Sequence, residues 1–146
     1  MATLTQTGAG TGQGHVSSNT VPKVYVQSTV IDGTSTALTS GDVYQAINVP
    51  ANSIVMSAGI DVITAGTGTG TLALGDGTVT YVAAATQSAG QMTSGDALAE
   101  LAVTYGAADT LDVTVATANV NSKVRVWALI ADIDGLGDTE SGDTYA

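Results

Sequence analysis

Aliphatic side chains occupy every second position of residues 123–130, which read Lys-Val-Arg-Val-Trp-Ala-Leu-Ile, so that Val124, Val126, Ala128 and Ile130 alternate with Lys123, Arg125, Trp127 and Leu129. Residues 23–30, Lys-Val-Tyr-Val-Gln-Ser-Thr-Val, show the same two-residue period near the other end of the chain. Because successive side chains of a β-strand point to opposite faces, this period is typical of strands with one buried face. We therefore predict two long strands, with the alternating valines of Val24 to Val30 and the set from Val124 to Ile130 directed into a core.

Turn residues divide the intervening chain into further strand candidates. These candidates lie at residues 42–49, 53–65, 72–74, 78–83 and 111–115. Asp76-Gly77 is a dipeptide typical of tight hairpins. Pro50 directly follows the candidate at residues 42–49 and ends it. Residues 96–105 suit a strand or a short helix, and we favour a strand. About eight strands at spacings of roughly 8 to 12 residues predict an all-β chain with a single β-sandwich, preferably jelly-roll-like.

The two ends of the chain differ from this central part in composition. Residues 1–22 are dominated by Gly, Thr, Ser and Gln, with little apolar surface to offset the entropy cost of ordering. Residues 134–146 are acidic and rich in small polar side chains. We therefore expect a flexible or partner-bound N-terminal arm at 1–22, a β-sandwich domain at 23–133 and an acidic, mobile tail at 134–146.

The charge of the chain is strongly acidic, with 13 Asp and Glu against three Lys and Arg, a formal net charge of −10. Three cations can neutralise few phosphates, so we expect no nucleic-acid partner. Acidity disfavours anionic membrane surfaces, and no apolar run has the length of a spanning helix, so no membrane partner is expected. Residues 1–8 lack the pattern of a secretory signal, which favours synthesis in the cytoplasm.

Catalytic and metal chemistry has few candidate residues. The chain has no cysteine, which excludes disulfides, zinc–thiolate sites and thiol nucleophiles. Its one histidine, His15, lies in the Gly-rich arm, whereas a catalytic base needs a positioned nucleophile and an orienting group. We predict no catalytic residue, no cofactor and no metal site, and thus no enzyme.

Carboxylate pairs offer the main route to an enzymatic alternative, because two facing carboxyl groups can hydrolyse glycosides. The available side chains are Asp61, Asp76, Asp96, Glu100, Asp109 and Asp112. Most flank glycine or lie at predicted strand ends, where Asp forms turns. We favour the turn interpretation, and a hydrolase would require two of these carboxylates to face each other across a cleft.

Three other features resemble binding motifs. Residues 132–140, Asp-Ile-Asp-Gly-Leu-Gly-Asp-Thr-Glu, resemble a calcium loop, but Leu136 occupies a ligand position and Asp143 replaces the final Glu. The turn at residues 66–70 has the glycines of a phosphate-binding loop without its Lys-Ser or Lys-Thr ending. Aromatic side chains on strands either stack on bound sugars or fill the core and cover its edge. The residues concerned are Trp127, Tyr25, Tyr44, Tyr81 and Tyr105. We favour the role in the core or at its edge.

Three segments carry a family resemblance. Residues 42–55 read Asp-Val-Tyr-Gln-Ala-Ile-Asn-Val-Pro-Ala-Asn-Ser-Ile-Val, residues 59–65 read Gly-Ile-Asp-Val-Ile-Thr-Ala, and residues 72–78 read Leu-Ala-Leu-Gly-Asp-Gly-Thr. They resemble small β-rich virion proteins of tailed phages, including capsid decoration (cement) proteins, notably those of cyanobacterial phages. The resemblance covers mainly residues 42–82.

The resemblance implies a jelly-roll-like domain that assembles, commonly as homotrimers, on the outer surface of the capsid. There it would bind the major capsid protein and bridge neighbouring subunits. A tail-fibre or receptor-binding β module has the same composition and is the alternative.

Overall fold

The computed structural model describes residues 23–90, 92–94 and 102–133. Within these residues the chain forms strands and turns without a helix. The strands are β1 (Lys23–Asp32), β2 (Val43–Val49), β3 (Ser53–Thr64), β4 (Thr71–Gly75), β5 (Thr80–Ala85), β6 (Met92–Ser94), β7 (Val103–Tyr105), β8 (Asp109–Ala116) and β9 (Lys123–Asp132). The predicted all-β class is confirmed.

The strands form two antiparallel sheets. The first sheet has the order β1-β9-β3-β6, with β7 also beside β3, and the second has the order β2-β8-β4-β5. Because β6 pairs with residues 59–61 of β3 and β7 with residues 53–55, the two short strands together occupy one position. Counted this way, each sheet has four strand positions and the chain crosses repeatedly between them, which is the strand order of a jelly roll.

The core lies between the sheets and is built from the inward faces of their central strands. Val124, Val126, Ala128 and Ile130 of β9 are all fully buried, as predicted. On the second sheet, alternate residues of β8 provide the matching layer, Leu111, Val113 and Val115. Aligned packing of two twisted sheets over such a layer is the standard construction of a β-sandwich.

The prediction that Val24, Val26 and Val30 point into the core is wrong. Their side chains are 59%, 63% and 48% exposed, whereas Tyr25 and Ile31 of the alternate set pack against the core. A two-residue period separates the two faces of a strand without saying which face is buried. Pairing decides it, because these valines lie opposite outward-facing β9 residues.

The chain around residues 96–105 agrees with the prediction only where it is described. Val103–Tyr105 is a strand, β7, whereas residues 95–101 lie outside the described residues.

The predicted hairpin at Asp76-Gly77 is present between β4 and β5, and Gly77 has the positive φ of 88° that such a turn requires.

Candidate interaction face

The outer surface of the β1-β9-β3 sheet carries an apolar patch that we call the interaction face. Its side chains come from three adjacent strands: Val24, Val26, Ser28 and Val30 of β1, Arg125, Trp127 and Leu129 of β9, and Ile54, Met56, Asp61 and Ile63 of β3.

Strand register brings these residues together. Val26 lies opposite Leu129, and Ser28 lies opposite Trp127. On the other side of β9, Trp127 lies opposite Gly59. Directly opposite residues of an antiparallel pair share a face, so apolar side chains of β1 and β9 form continuous rows.

Two bulges in β3 add to the exposed apolar surface. The register of β3 against β9 shifts between Val55 and Ser57 and again between Val62 and Thr64. The extra residues at these shifts are Met56 and Ile63, and each is 40% exposed. Bulges re-aim side chains, and large contiguous apolar patches on protein surfaces mark interaction sites.

The charges on and beside the interaction face are balanced in pairs. Lys123 Nζ lies 3.0 Å from Asp32 Oδ2, and Arg125 Nη1 lies 3.5 Å from Asp61 Oδ2. The hydroxyl of Thr34 donates to Asp32 at 2.6 Å and is the main cause that lowers the pKa of Asp32 to about 2, with the Thr34 backbone N–H and Lys123 contributing. Both Lys123 and Arg125 therefore have a carboxylate beside them.

The second sheet has the opposite electrostatic character. All three Lys and Arg of the chain, Lys23, Lys123 and Arg125, lie on β1 and β9 of the first sheet. The acidic residues on or beside the strands of the second sheet are Asp42, Asp76, Asp109 and Asp112. Within the described residues, the cations thus lie on the first sheet together with carboxylates, whereas the strands and turns of the second sheet carry carboxylates alone.

The carboxylates considered for catalysis occupy separate structural positions. Asp61 forms the ion pair with Arg125, and Asp76 accepts hydrogen bonds from the backbone N–H groups of the turn after it. Asp109 and Asp112 each accept a hydrogen bond from Thr110. Among the described residues, no hydrogen bond joins two of these carboxylates, and Asp96 and Glu100 lie outside that part.

Two tyrosines considered for sugar stacking are buried. Tyr81 and Tyr105 are 2% and 6% exposed, and their hydroxyl oxygens lie 3.0 Å apart. The Tyr105 hydroxyl also donates to Asp76 Oδ2 at 2.5 Å. These two rings belong to the core, as predicted.

Trp127 instead lies on the interaction face, and its indole Nε1 is buried without a hydrogen-bond partner in the described part of the chain.

The glycine turn at residues 66–70 serves packing at one end of the sandwich. The buried Gln87 side chain donates to the Gly70 carbonyl at 3.1 Å and accepts from the Asn121 backbone N–H at 3.0 Å. A Cβ on Gly66 would overlap the Gln87 side chain. The prediction of a hairpin turn here is wrong, because the segment connects β3 of the first sheet to β4 of the second and the two strands do not pair. Its glycines instead admit a polar side chain from a neighbouring loop.

The remaining candidates fall mostly beyond the described residues. His15 and residues 134–140 of the calcium-loop-like segment lie outside them. Within residues 23–90, 92–94 and 102–133, no group of three or more His, Asp or Glu side chains could hold a metal ion. The same part of the chain has no helix long and apolar enough to cross a membrane.

Comparison with known proteins gives structural likeness only. No protein-family model matches the chain. No curated protein matches its sequence.

Among solved structures, a chain of the cyanophage Pam1 capsid asymmetric unit is similar with a TM-score of 0.57 and 24% identity, covering 89% of this chain and 97% of that one. A chain of the Ralstonia phage GP4 capsid has a TM-score of 0.57 and 17% identity, covering 75% and 84%. A chain of the acid-stable capsid of Helicobacter pylori bacteriophage KHP30 has a TM-score of 0.53 and 15% identity, covering 76% and 90%. The fold is thus shared with chains of three phage capsid structures.

Sequence reasoning missed the interaction face, although one signal for it was present. The outward set of β9 includes Trp127 and Leu129 after its two cations, so the second half of β9 is apolar on both faces. A strand with two apolar faces is typical of a sheet covered on both sides. That pattern predicts a partner surface over this sheet.

Proposed function

We propose that this chain is a structural protein of a phage virion that decorates the outer surface of the capsid and bridges neighbouring subunits of the major capsid protein. The observation that carries the proposal is the apolar, charge-balanced interaction face, on a fold shared with chains of phage capsids.

The asymmetry between the two sides of the molecule sets its orientation on the capsid. The interaction face meets the shell, because its ion pairs already compensate their own charges and its valines gain from leaving water. The acidic second sheet faces solvent, where its carboxylates stay hydrated and discourage association between particles. Docking by the acidic side would desolvate carboxylates that lack cations.

The size of the interaction face requires multivalent attachment. Val24, Val26 and Val30 retain about half of their surface exposed, so burying each contributes about 1 kcal/mol. The whole face then contributes on the order of 5 kcal/mol, which is comparable with the lower estimates of the cost of association. Tight binding therefore needs several contacts at once, which a repetitive shell provides.

The N-terminal segment supplies a further contact in this proposal. Twenty-two extended residues span up to about 70 Å, enough to reach neighbouring subunits. Polar backbone that orders on contact can add hydrogen bonds along a strand edge. Deleting residues 2–20 is expected to leave the β-sandwich folded and to weaken attachment to capsids. Undiminished attachment would leave the segment without a bridging role.

Location in the particle is the first test of the proposal. An antibody against the purified chain is coupled to gold. The labelled antibody is then applied to particles of the phage that carries this gene. Labelling of heads is the expected result. Labelling confined to tails would overturn the capsid assignment and support the tail-fibre or receptor-binding alternative.

The orientation is tested by rebinding. Heads stripped of the chain are incubated with wild-type protein, with Met56→Lys/Ile63→Lys, or with Val43→Lys. The double variant puts charge on the interaction face and is expected to bind at least about 10-fold more weakly, because desolvating an unpaired charge is costly. Val43 is 57% exposed on the second sheet and is the matched control, with unchanged binding expected. Equal binding by all three proteins would refute the assigned orientation.

A further inference from the structure

Asp-Gly peptides are the positions at which an aspartate most readily rearranges to isoaspartate, because glycine has no Cβ to hinder ring closure. The chain contains three of them, Asp32-Gly33, Asp76-Gly77 and Asp134-Gly135. The first two lie within the described residues, and their surroundings differ. The contacts of each pair indicate how strongly the fold opposes the rearrangement.

The rearrangement is an attack of the glycine backbone nitrogen on the aspartate side chain. The nitrogen forms a bond to Cγ and one bond from Cγ to a carboxyl oxygen breaks. That oxygen takes up the amide proton and a proton from solvent, and it leaves as water. Water then opens the resulting succinimide ring, and if it enters at the main-chain carbonyl the chain continues through the side chain as isoaspartate. The reaction therefore requires an accessible nitrogen and a carboxyl group that is free to turn towards it.

At Asp32-Gly33 the nitrogen is not accessible. The Gly33 N–H donates to the Ser122 carbonyl oxygen at 3.0 Å. A Cβ on Gly33 would lie 2.8 Å from the Val120 carbonyl oxygen, so the backbone of another loop covers this glycine. The fold thus opposes the rearrangement of Asp32 at the attacking nitrogen.

At Asp76-Gly77 the nitrogen is accessible. The Gly77 N–H donates no hydrogen bond to any group in the described part of the chain. A Cβ on Gly77 would have no heavy atom of that part within 4 Å, so the turn is open around this glycine. Opposition to the rearrangement has to come from the carboxyl group of Asp76.

The Asp76 carboxylate is held at both of its oxygens. Oδ1 accepts hydrogen bonds from the backbone N–H groups of Thr78 at 2.7 Å and Val79 at 2.6 Å. Oδ2 accepts a hydrogen bond from the Tyr105 hydroxyl at 2.5 Å. The bonds to Oδ1 are local to the turn, whereas the bond to Oδ2 comes from a strand of the other sheet. Because the leaving oxygen must give up its bonds, these contacts oppose ring closure.

We propose that Asp76-Gly77 is a latent site of isoaspartate formation, and that Tyr105 protects it by holding Oδ2 of the Asp76 carboxylate. The inference goes beyond the capsid role and does not depend on it. Isoaspartate at this position would lengthen the backbone of the turn by one methylene and displace the N–H groups of Thr78 and Val79. The turn that joins β4 to β5 would then lose the bonds that shape it.

Ageing of the purified protein tests the proposal. Wild type, Tyr105→Phe and Gly70→Ala are incubated at neutral pH beside a synthetic peptide of residues 72–81, in which the carboxyl group is unrestrained. Chymotrypsin, which cleaves after Leu74 and Tyr81, then releases residues 75–81 from every sample. Liquid chromatography against synthetic standards separates the aspartate and isoaspartate forms of this fragment.

The wild type is expected to form isoaspartate at residue 76 at least about 10-fold more slowly than the peptide, since closure requires the loss of a hydrogen bond to a charged group. For the same reason, Tyr105→Phe should form it at least about 10-fold faster than the wild type. Gly70→Ala is the control for a general loss of stability, because its Cβ would crowd two carbonyl oxygens at the opposite end of β4. Its rate at residue 76 should stay close to that of the wild type.

Three results would overturn the proposal. A wild type that rearranges as fast as the peptide would show that the fold gives no protection. A Gly70→Ala protein as fast as Tyr105→Phe would assign the rate to unfolding of the whole domain, and urea unfolding of both variants verifies that their stabilities are comparable. A Tyr105→Phe protein no faster than the wild type would remove the protective role, and a slower one would make Tyr105 the proton donor to the leaving oxygen. Because no capsid is used, none of these results bears on the capsid role.

Discussion

Replacement of Tyr105 by phenylalanine tests the buried hydrogen-bonded network that joins β7 to the turn between β4 and β5. The Tyr105 hydroxyl donates its proton to Asp76 Oδ2, so the neighbouring Tyr81 hydroxyl must be the donor in the 3.0 Å bond between the two tyrosines. Burial raises the pKa of Tyr105 far above its usual range, and the hydrogen bond to Asp76 adds to the effect. Tyr105 therefore remains a protonated donor throughout the neutral range.

The expected loss of stability combines two contributions. A hydrogen bond to a charged group contributes about 1.5–3 kcal/mol, and the lower part of that range applies because Asp76 is partly exposed. Asp76 also keeps hydrogen bonds from the backbone N–H groups of Thr78 at 2.7 Å and Val79 at 2.6 Å. The Tyr81 hydroxyl, left without its acceptor in the core, adds about 1 kcal/mol. The Tyr105→Phe variant should therefore be about 2.5 kcal/mol less stable, with a Tm lower by about 7 °C.

The same variant predicts a pH dependence. Partial burial acts to raise the pKa of Asp76, but hydrogen bonds from Tyr105 and from the Val79 and Thr78 backbone hold it below its ordinary value of 3.8. A carboxylate with a depressed pKa in the folded state stabilises the fold above its unfolded pKa, and that stability is lost as the pH falls through the folded pKa. The difference between wild type and variant should therefore shrink below about pH 4.

Urea unfolding at pH 7 and pH 3, followed by far-UV circular dichroism, measures both effects. Tyr44→Phe is the matched control, because the Tyr44 hydroxyl also donates to an aspartate, Asp42, at 3.2 Å, but on the surface. Its removal should change the free energy of unfolding by less than about 0.5 kcal/mol. A Tyr105→Phe variant as stable as Tyr44→Phe at pH 7 would falsify the assignment of this network to the stability of the fold.

Three further predictions concern the core, a turn and metal binding. Val126→Asp should abolish soluble folding, because an unpaired buried charge costs several kcal/mol. Val26→Asp, at an exposed position, should fold normally, and soluble yield with circular dichroism distinguishes the two variants. Gly70→Ala should lower the free energy of unfolding, measured in urea, by about 1–3 kcal/mol, because the new Cβ would lie 2.6 Å from the Asn119 carbonyl oxygen. Gly106→Ala is the control, and it should leave the stability unchanged because a Cβ at Gly106 has open space around it. Calcium or a chelator should leave the melting temperature unchanged, and a shift of more than a few degrees would reveal a native-state calcium site.

Local patterns in the chain were sufficient for most of the strands, although not for β6, and for the turn at Asp76-Gly77. Alternation predicted strands at β8 and β9 and, for β9, the correct buried face, since Val126 is fully buried. Asp76-Gly77 predicted the hairpin between β4 and β5, because a positive φ at the glycine is a local requirement of the turn. These features depend on residues close together in sequence, where side-chain period and backbone conformation suffice.

The buried face of β1 and the composition of the interaction face were decided by tertiary structure. Valines at alternate positions of residues 24–30 give the same period whichever side is buried, and only pairing with β9 assigns them to the outside. Likewise, the ion pair of Arg125 with Asp61 joins residues distant in sequence, and it exists because β3 and β9 are neighbours. The sequence by itself determined that this chain forms a β-sandwich with an acidic surplus. Which side is apolar and which acidic depended on strand order, because charge balance and burial arise from contacts between strands far apart along the chain.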